Sequence, residues 1–160
     1  MTSYDARSSL RQALLAAVRC DERVVGLVEG GSGAEDRVDQ WSDLDVFLFI
    51  RDTDIDVFRR EWRQWTQQFG RLLLAYDPDE DNTIAWTIFA ADPVPLRVDF
   101  RFLPASDIDN VRSWPTSPSS LDAFVLCDKT GSHLSEIASS LVGQSQRLPS
   151  SAEAVIAMLL

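Results

Sequence analysis

Apolar residues recur along the chain at spacings that predict helices alternating with short strands. Residues 5–19 carry apolar side chains every four positions, which predicts a helix with one buried face. The apolar runs at residues 24–28 and 45–50 each predict a buried strand. Between these two strands lies Gly30-Gly31-Ser32-Gly33, a sequence that predicts a tight turn.

A longer amphipathic helix is predicted over residues 54–69, because its large apolar side chains fall at steps of three and four. Strands are predicted at residues 72–76 and 83–90, joined by an acidic turn. Residues 96–103 alternate between apolar and polar positions, so Asp99 is expected on the polar face of a strand.

Beyond this strand, the region at residues 104–118 is rich in Pro and Ser and predicts a loop. Trp114 lies in that loop, where an exposed aromatic ring lines either an acceptor pocket or a protein interface. Trp86 alternates with its strand neighbours, which predicts a place in the core. A short strand at residues 123–127 and a helix at residues 132–142 are predicted to follow.

The end of the sequence predicts a further helix. Ser150-Ser151-Ala152-Glu153 is a capping-box pattern, and only apolar residues follow it. We therefore expect one domain over residues 1–145 and the start of a C-terminal helix over residues 146–160. This helix either begins a helical domain, packs against the core of its own chain or packs against a partner, which would be a second copy of the chain or another protein.

Composition narrows the classes of function. The net charge of −10 argues against broad binding to nucleic acid, which depends on Lys and Arg. The sequence has no apolar run of the roughly 20 residues that cross a bilayer and no secretion-signal pattern, so a cytoplasmic protein without a membrane partner is expected. Cys20 and Cys127 form no CxxC pair and are expected to be free thiols. His133 is the single histidine, which excludes a multi-histidine metal site.

Three carboxylates are the candidate metal ligands. Asp43 and Asp45 stand two residues apart at a strand start and therefore share one face. If the strand that carries Asp99 is a neighbour, the three side chains converge, and Mg²⁺ is the usual counter-ion of such a cluster. Gly31-Ser32 precedes them; its glycine permits close approach of the backbone to phosphate, and its hydroxyl can donate to a phosphate oxygen.

Gly31-Ser32, a polar spacer and Ser42-Asp43-Leu44-Asp45-Val46 together resemble the signature of the DNA polymerase beta-like nucleotidyltransferase superfamily. The likeness is strongest to the antibiotic nucleotidyltransferases of the lincosamide and aminoglycoside types and covers about residues 8–145. It implies an α+β fold: a small mixed β-sheet of about five strands with helices packed mainly on one face. It also implies Mg²⁺-dependent transfer of a nucleoside monophosphate from ATP or another NTP to a hydroxyl of a small molecule such as an antibiotic.

The resemblance also implies residue roles. Asp43 and Asp45 would hold the metals that bridge the phosphates, and Asp99 would complete the second metal site. Glu35 stands where family members often carry a basic residue, so Arg37 becomes the candidate phosphate contact beside Gly31 and Ser32.

An alternative hypothesis is that the protein is a non-catalytic nucleotide- or protein-binding module on the same scaffold. Glu35 and the abrupt apolar end of the sequence favour this alternative.

Overall fold

The computed structural model describes residues 3–39, 42–78, 81 and 83–144. It contains six strands: β1 (Val24–Glu29), β2 (Leu44–Ile50), β3 (Leu72–Tyr76), β4 (Ile84–Phe89), β5 (Leu96–Pro104) and β6 (Val125–Asp128). The helices are α1 (Ser3–Cys20), α2 (Gly31–Ala34), α3 (Ile55–Thr66), α4 (Leu121–Phe124) and α5 (His133–Ser139), with 3-10 segments at Gln67–Phe69 and Ala105–Ser113.

The strands form one mixed sheet in the order β3-β4-β5-β2-β1-β6. Strands β2 and β5 run parallel at its centre, and every other neighbouring pair is antiparallel. A parallel pair requires a long crossover connection, which here consists of α3, β3 and β4. The predicted α+β fold with a mixed sheet is confirmed, with six strands where about five were expected.

The two longest helices, α1 and α3, cover one face of the sheet. Phe58, Trp62 and Trp65 of α3 pack there against inward-facing residues of β5, including Phe100 and Phe102. On the opposite face, α4, α5 and the 3-10 helix form a smaller core against β1 and β2. This second face is therefore covered at one end of the sheet and exposed towards β3 and β4. We call it the open face.

Residues 105–113 form a 3-10 helix and not the predicted loop. Ile108 and Val111 lie three residues apart, which is one 3-10 turn, so both side chains point into the smaller core. The predicted strand at 123–127 begins only at Val125, because residues 121–124 form a helical turn. The Ser120 side chain caps that turn by accepting a hydrogen bond from the Ala123 N–H.

The prediction that Trp86 lies in the core is wrong, since 40% of this residue is exposed. Its neighbours Ala85 and Thr87 take the buried face of β4, and alternation then directs Trp86 to the open face. The predicted helix at 146–160 lies outside the described residues. Within the described part of the chain, no helix is long and apolar enough to cross a membrane.

Candidate active site

The central parallel ladder brings the predicted carboxylates together. Asp45 on β2 pairs directly with Asp99 on β5. Because residues paired across a ladder point to the same face, both side chains lie on the open face of the sheet. Asp43 precedes Asp45 by two residues, so the three carboxylates that the sequence singled out lie at one end of the two central strands.

Arg97 is the cation nearest these acids. Its guanidinium donates to both oxygens of Asp99, from Nε at 2.7 Å and from Nη2 at 2.6 Å. Its Nη1 lies 3.7 Å from Asp43 Oδ2. Asp43 and Asp99 are therefore joined through one arginine, whereas Asp45 forms no ion pair with any of the described residues.

Burial and mutual repulsion act on the pKa values of these groups. Burial raises the pKa of Asp45 above its usual 3.8, and the negative charges of Asp99 and Asp43 raise it further. Burial also raises the pKa of Asp43; Arg97 opposes this rise and Asp99 adds to it. The hydrogen bond to Asp99 is the largest cause of a raised pKa at Arg97. The cluster therefore favours binding of a further cation.

The Gly31 turn lies directly against Asp45. Gly30 donates its N–H to the Asp45 carbonyl at 2.9 Å, which ties the end of β1 to β2. Gly31 has a φ of +57°, and a Cβ added to it would overlap the Asp45 carboxylate. A glycine is required here both for the left-handed backbone and for the close approach. The predicted phosphate turn and the predicted metal ligands thus form one continuous site.

A buried charge network supports this turn from behind. Glu29, at the end of β1, is 1% exposed and binds Arg7 and Arg11 of α1, each at 2.5 Å. Arg7 also donates to the Asp43 carbonyl at 3.4 Å, and its charge lowers the pKa of Asp45 against the dominant raising effects. A Cβ at Gly33 would overlap the Glu29 carboxylate, so the turn rests on this network.

The network carries one acid and two bases, which leaves a net positive charge beneath the turn. Neither Arg7 nor Glu29 was among the residues that the sequence predicts for the site. The sequence feature that could have identified them is an acidic residue at the end of an otherwise apolar strand. A buried acid at such a position requires a cation as its partner.

The remaining predicted phosphate contacts, Ser32 and Arg37, lie in α2 and just after it. Ser32 belongs to α2, and its carbonyl accepts a hydrogen bond from the Arg37 N–H at 2.9 Å. The Arg37 side chain is exposed and pairs with Glu35. Glu35, which stands where family members often carry a basic residue, therefore has a positively charged partner.

A cavity of about 570 Å³ opens beside Asp45 on the open face. One wall is formed by Gly30 and Gly31. The other wall is aromatic and includes Trp114 and Phe47, whose ring centroids lie 4.6 Å apart. Trp114 is half-buried here and not fully exposed in a loop as expected. Thr116 Oγ1 lies in the same wall, buried and without a hydrogen-bond partner among the described residues. The cavity thus combines a flat apolar wall with polar groups available to a ligand.

The residues present fit a hard cation. Among the described residues, no three acidic, histidine or cysteine side chains are arranged to hold a metal ion by themselves. Mg²⁺ is commonly bound by only one or two carboxylates together with substrate phosphates and waters. Asp45 and Asp99 supply such a pair next to the Gly31 turn, with Asp43 beside them.

Comparison with known proteins agrees with this geometry. A search of curated proteins gives no match. The family model described as streptomycin adenylyltransferase matches residues 6–152, which include the turn, the three carboxylates and the buried network. The resemblance to antibiotic nucleotidyltransferases is confirmed, and the chain belongs to the streptomycin adenylyltransferase family.

Proposed function

We propose that this protein transfers a nucleoside monophosphate from an NTP, with ATP as the expected donor, to a hydroxyl of an antibiotic. The observation that carries the proposal is the direct pairing of Asp45 with Asp99 beside the Gly31 turn. Family membership supports the reaction type and the class of acceptor.

The donor fits the cavity next to Asp45. Its phosphates would lie against Gly31 and Ser32, above the net positive charge of the Arg7-Glu29-Arg11 network. Its base would lie along the Trp114 wall, where Thr116 Oγ1 can donate or accept a hydrogen bond. Arg37 would reach the outer phosphates once it separates from Glu35.

The three aspartates would hold Mg²⁺, with Asp43 and Asp45 on the phosphate side and Asp99 near the attacking hydroxyl. When bound, Mg²⁺ neutralises phosphate charge and favours departure of pyrophosphate. The acceptor oxygen forms a bond to the α-phosphorus as the bond to the leaving oxygen breaks, so that pyrophosphate leaves and the hydroxyl proton passes to solvent. Asp45 and Asp99 orient the reacting groups because both are fixed to central strands of the sheet.

The test measures ATP binding to the full chain by calorimetry, with and without Mg²⁺, and transfer of labelled AMP to streptomycin. We expect saturable binding that requires Mg²⁺, together with transfer. Asp43→Asn combined with Asp45→Asn should abolish transfer while the thermal transition is retained. Asp56→Asn, which changes an exposed acid of α3, is the matched control and should leave transfer unchanged.

The outcomes separate the two candidate functions. Mg²⁺-dependent ATP binding without transfer to any hydroxylated antibiotic would favour the non-catalytic module. Full transfer by the double variant would refute the roles given to Asp43 and Asp45.

A further inference from the structure

A row of side chains crosses the open face of the sheet on the side of Asp99 away from the cavity. Tyr76 on β3 pairs with Trp86 on β4, Trp86 pairs with Asp99 on β5, and Asp99 pairs with Asp45 on β2. Paired residues point to the same face, so two aromatic rings continue the line of the two carboxylates. This arrangement is a consequence of register and was not visible in the sequence.

The two rings form a surface that the described part of the chain leaves exposed. Tyr76 is 53% exposed and Trp86 is 40% exposed, and their ring centroids lie 5.8 Å apart. Leu74, two residues before Tyr76 on β3, is 52% exposed and extends the same surface. Large aromatic side chains exposed beside a polar site typically mark a place where a ligand binds.

A small cleft of about 70 Å³ links this surface to the carboxylates. Its walls include Asp45, Asp99 and Trp86, so a ligand group can contact both the acids and the indole ring. Neighbouring strands lie about 5 Å apart, which places the Tyr76 backbone about 10 Å from that of Asp99. That span matches one or two rings of a small molecule whose hydroxyl reaches Asp99.

The position of Arg97 indicates the chemistry that Trp86 accepts. The Arg97 guanidinium lies 5.5 Å from the centre of the Trp86 ring while it binds Asp99. A planar cation is therefore already accommodated between the indole face and a carboxylate. An ammonium or guanidinium group of a ligand can take the same place if Arg97 turns away.

The two sides of the carboxylates suit the two substrates of a transfer reaction. The cavity beside Gly31 and Trp114 extends from the end of β1 across Asp45 to Arg101 and Leu103 of β5. Tyr76 and Trp86 lie beyond β5, on the β3 side of Asp99. A nucleotide whose phosphates contact Gly31 leaves the aromatic pair free, because the pair is separated from that turn by the width of two strands.

We propose that Tyr76 and Trp86 form the binding platform for the acceptor: a cationic, hydroxylated ring compound that stacks on the pair and presents its hydroxyl at Asp99. This proposal rests on the proposed function, in which Asp99 lies near the attacking hydroxyl. Tyr76 and Trp86 are specificity-determining residues that bind the acceptor without taking part in bond exchange.

The test uses the full chain with Trp86→Leu and Tyr76→Leu, and with Trp86→Phe as the conservative variant. Steady-state transfer gives separate KM values for streptomycin and ATP. Removing one aromatic contact should raise the KM for streptomycin about tenfold in Trp86→Leu, and less in Trp86→Phe. The KM for ATP should stay within about twofold, because the ATP site lies on the other side of the carboxylates. Val57→Ala, an exposed apolar change on α3, is the control and should alter neither KM.

Unchanged KM for streptomycin in both leucine variants would overturn the platform. A raised KM for ATP with unchanged KM for streptomycin would overturn it as well, since the pair would then hold the nucleobase. Thermal melting and ATP affinity identify any variant that has lost its fold. If a leucine variant has lost its fold, the KM for streptomycin in Trp86→Phe decides whether the platform binds the acceptor.

Direct binding of streptomycin distinguishes failure of the proposed function from failure of the platform. If the wild-type chain transfers nothing, calorimetry with streptomycin still decides the platform. Binding that weakens in Trp86→Leu supports it, whereas binding that is absent or independent of Trp86 overturns it.

Discussion

Asp45 and Asp99 are direct partners in the parallel ladder at the centre of the sheet, and both carboxylates point to its open face. Two like charges placed opposite each other destabilise a sheet unless a cation compensates them. Here Arg97 compensates Asp99 and reaches Asp43, while Asp45 keeps a pKa raised by burial and by its two acidic neighbours. The paired carboxylates therefore cost the fold some stability in the absence of a bound cation.

Asp45→Asn should stabilise the metal-free protein and abolish transfer. The amide has nearly the shape of the carboxylate but removes the repulsion from Asp99 and Asp43, so we expect a gain of about 0.5–1 kcal/mol in the free energy of unfolding. Transfer should fall by about 10³-fold or more, since the substitution removes a charge that we propose to hold the cation. Urea unfolding in a metal chelator and a transfer assay measure the two effects. Loss of stability in the chelator would contradict the repulsion argument.

Gly31→Ala should damage the site more than the fold. The new Cβ must occupy a φ of +57° and displace the Asp45 carboxylate. We expect a cost of about 1–2 kcal/mol from the backbone alone, together with at least about a tenfold rise in the KM for ATP. Gly131→Ala is the matched control, because Gly131 has a φ of +69° and no atom within 4 Å of the added Cβ. It should cost similar stability and leave the KM for ATP unchanged.

Stability should depend on pH and on Mg²⁺ through Asp43 and Asp45. Both pKa values are raised above the ordinary 3.8, so the folded protein binds more protons than the unfolded chain in the window just above that value. The contribution of these groups is present below pH 3.8 and is lost as pH rises through their folded pKa values. Over the same window, stabilisation by Mg²⁺ should grow, because only the ionised carboxylates bind it.

Urea unfolding of the wild type and of Asp43→Asn with Asp45→Asn, at several pH values with and without Mg²⁺, measures this dependence. The double variant should show a smaller Mg²⁺ effect at every pH. An equal response to Mg²⁺ in the two proteins would place the cation elsewhere.

Arg7→Met should destabilise the protein by about 3–5 kcal/mol, because it removes one of the two cations that compensate the buried Glu29. Arg51→Met is the control, since Arg51 forms an exposed ion pair with Asp54 and should cost no more than about 1 kcal/mol. Adding Glu29→Gln to Arg7→Met should restore part of the loss. Equilibrium urea unfolding of the wild type, Arg7→Met, Glu29→Gln and the double variant gives the coupling between the two residues. Equal costs for Arg7→Met and Arg51→Met would show that the network contributes little.

Local patterns determined much of this protein. The alternation of residues 96–103 placed Asp99 on the polar face of β5, and the helical stripe of residues 54–69 identified the apolar face of α3. These predictions succeed because strand and helix periodicity depend on nearby residues and on burial of one face. The order of the Gly31 turn, Asp43 and Asp45 was equally local, and it was sufficient to indicate the family that the family-model match confirms.

Only the tertiary structure decided which residues meet across strands. The pairing of Asp45 with Asp99, the row through Trp86 to Tyr76 and the network of Arg7 with Glu29 all depend on strand order and register. A period-2 pattern shows that Trp86 and Ala85 point to opposite faces, but it does not show which face the helices cover. The sequence by itself therefore determined most of the elements and the order of the candidate site residues, whereas the packing of α1 and α3 on one face decided which side chains lie beside them.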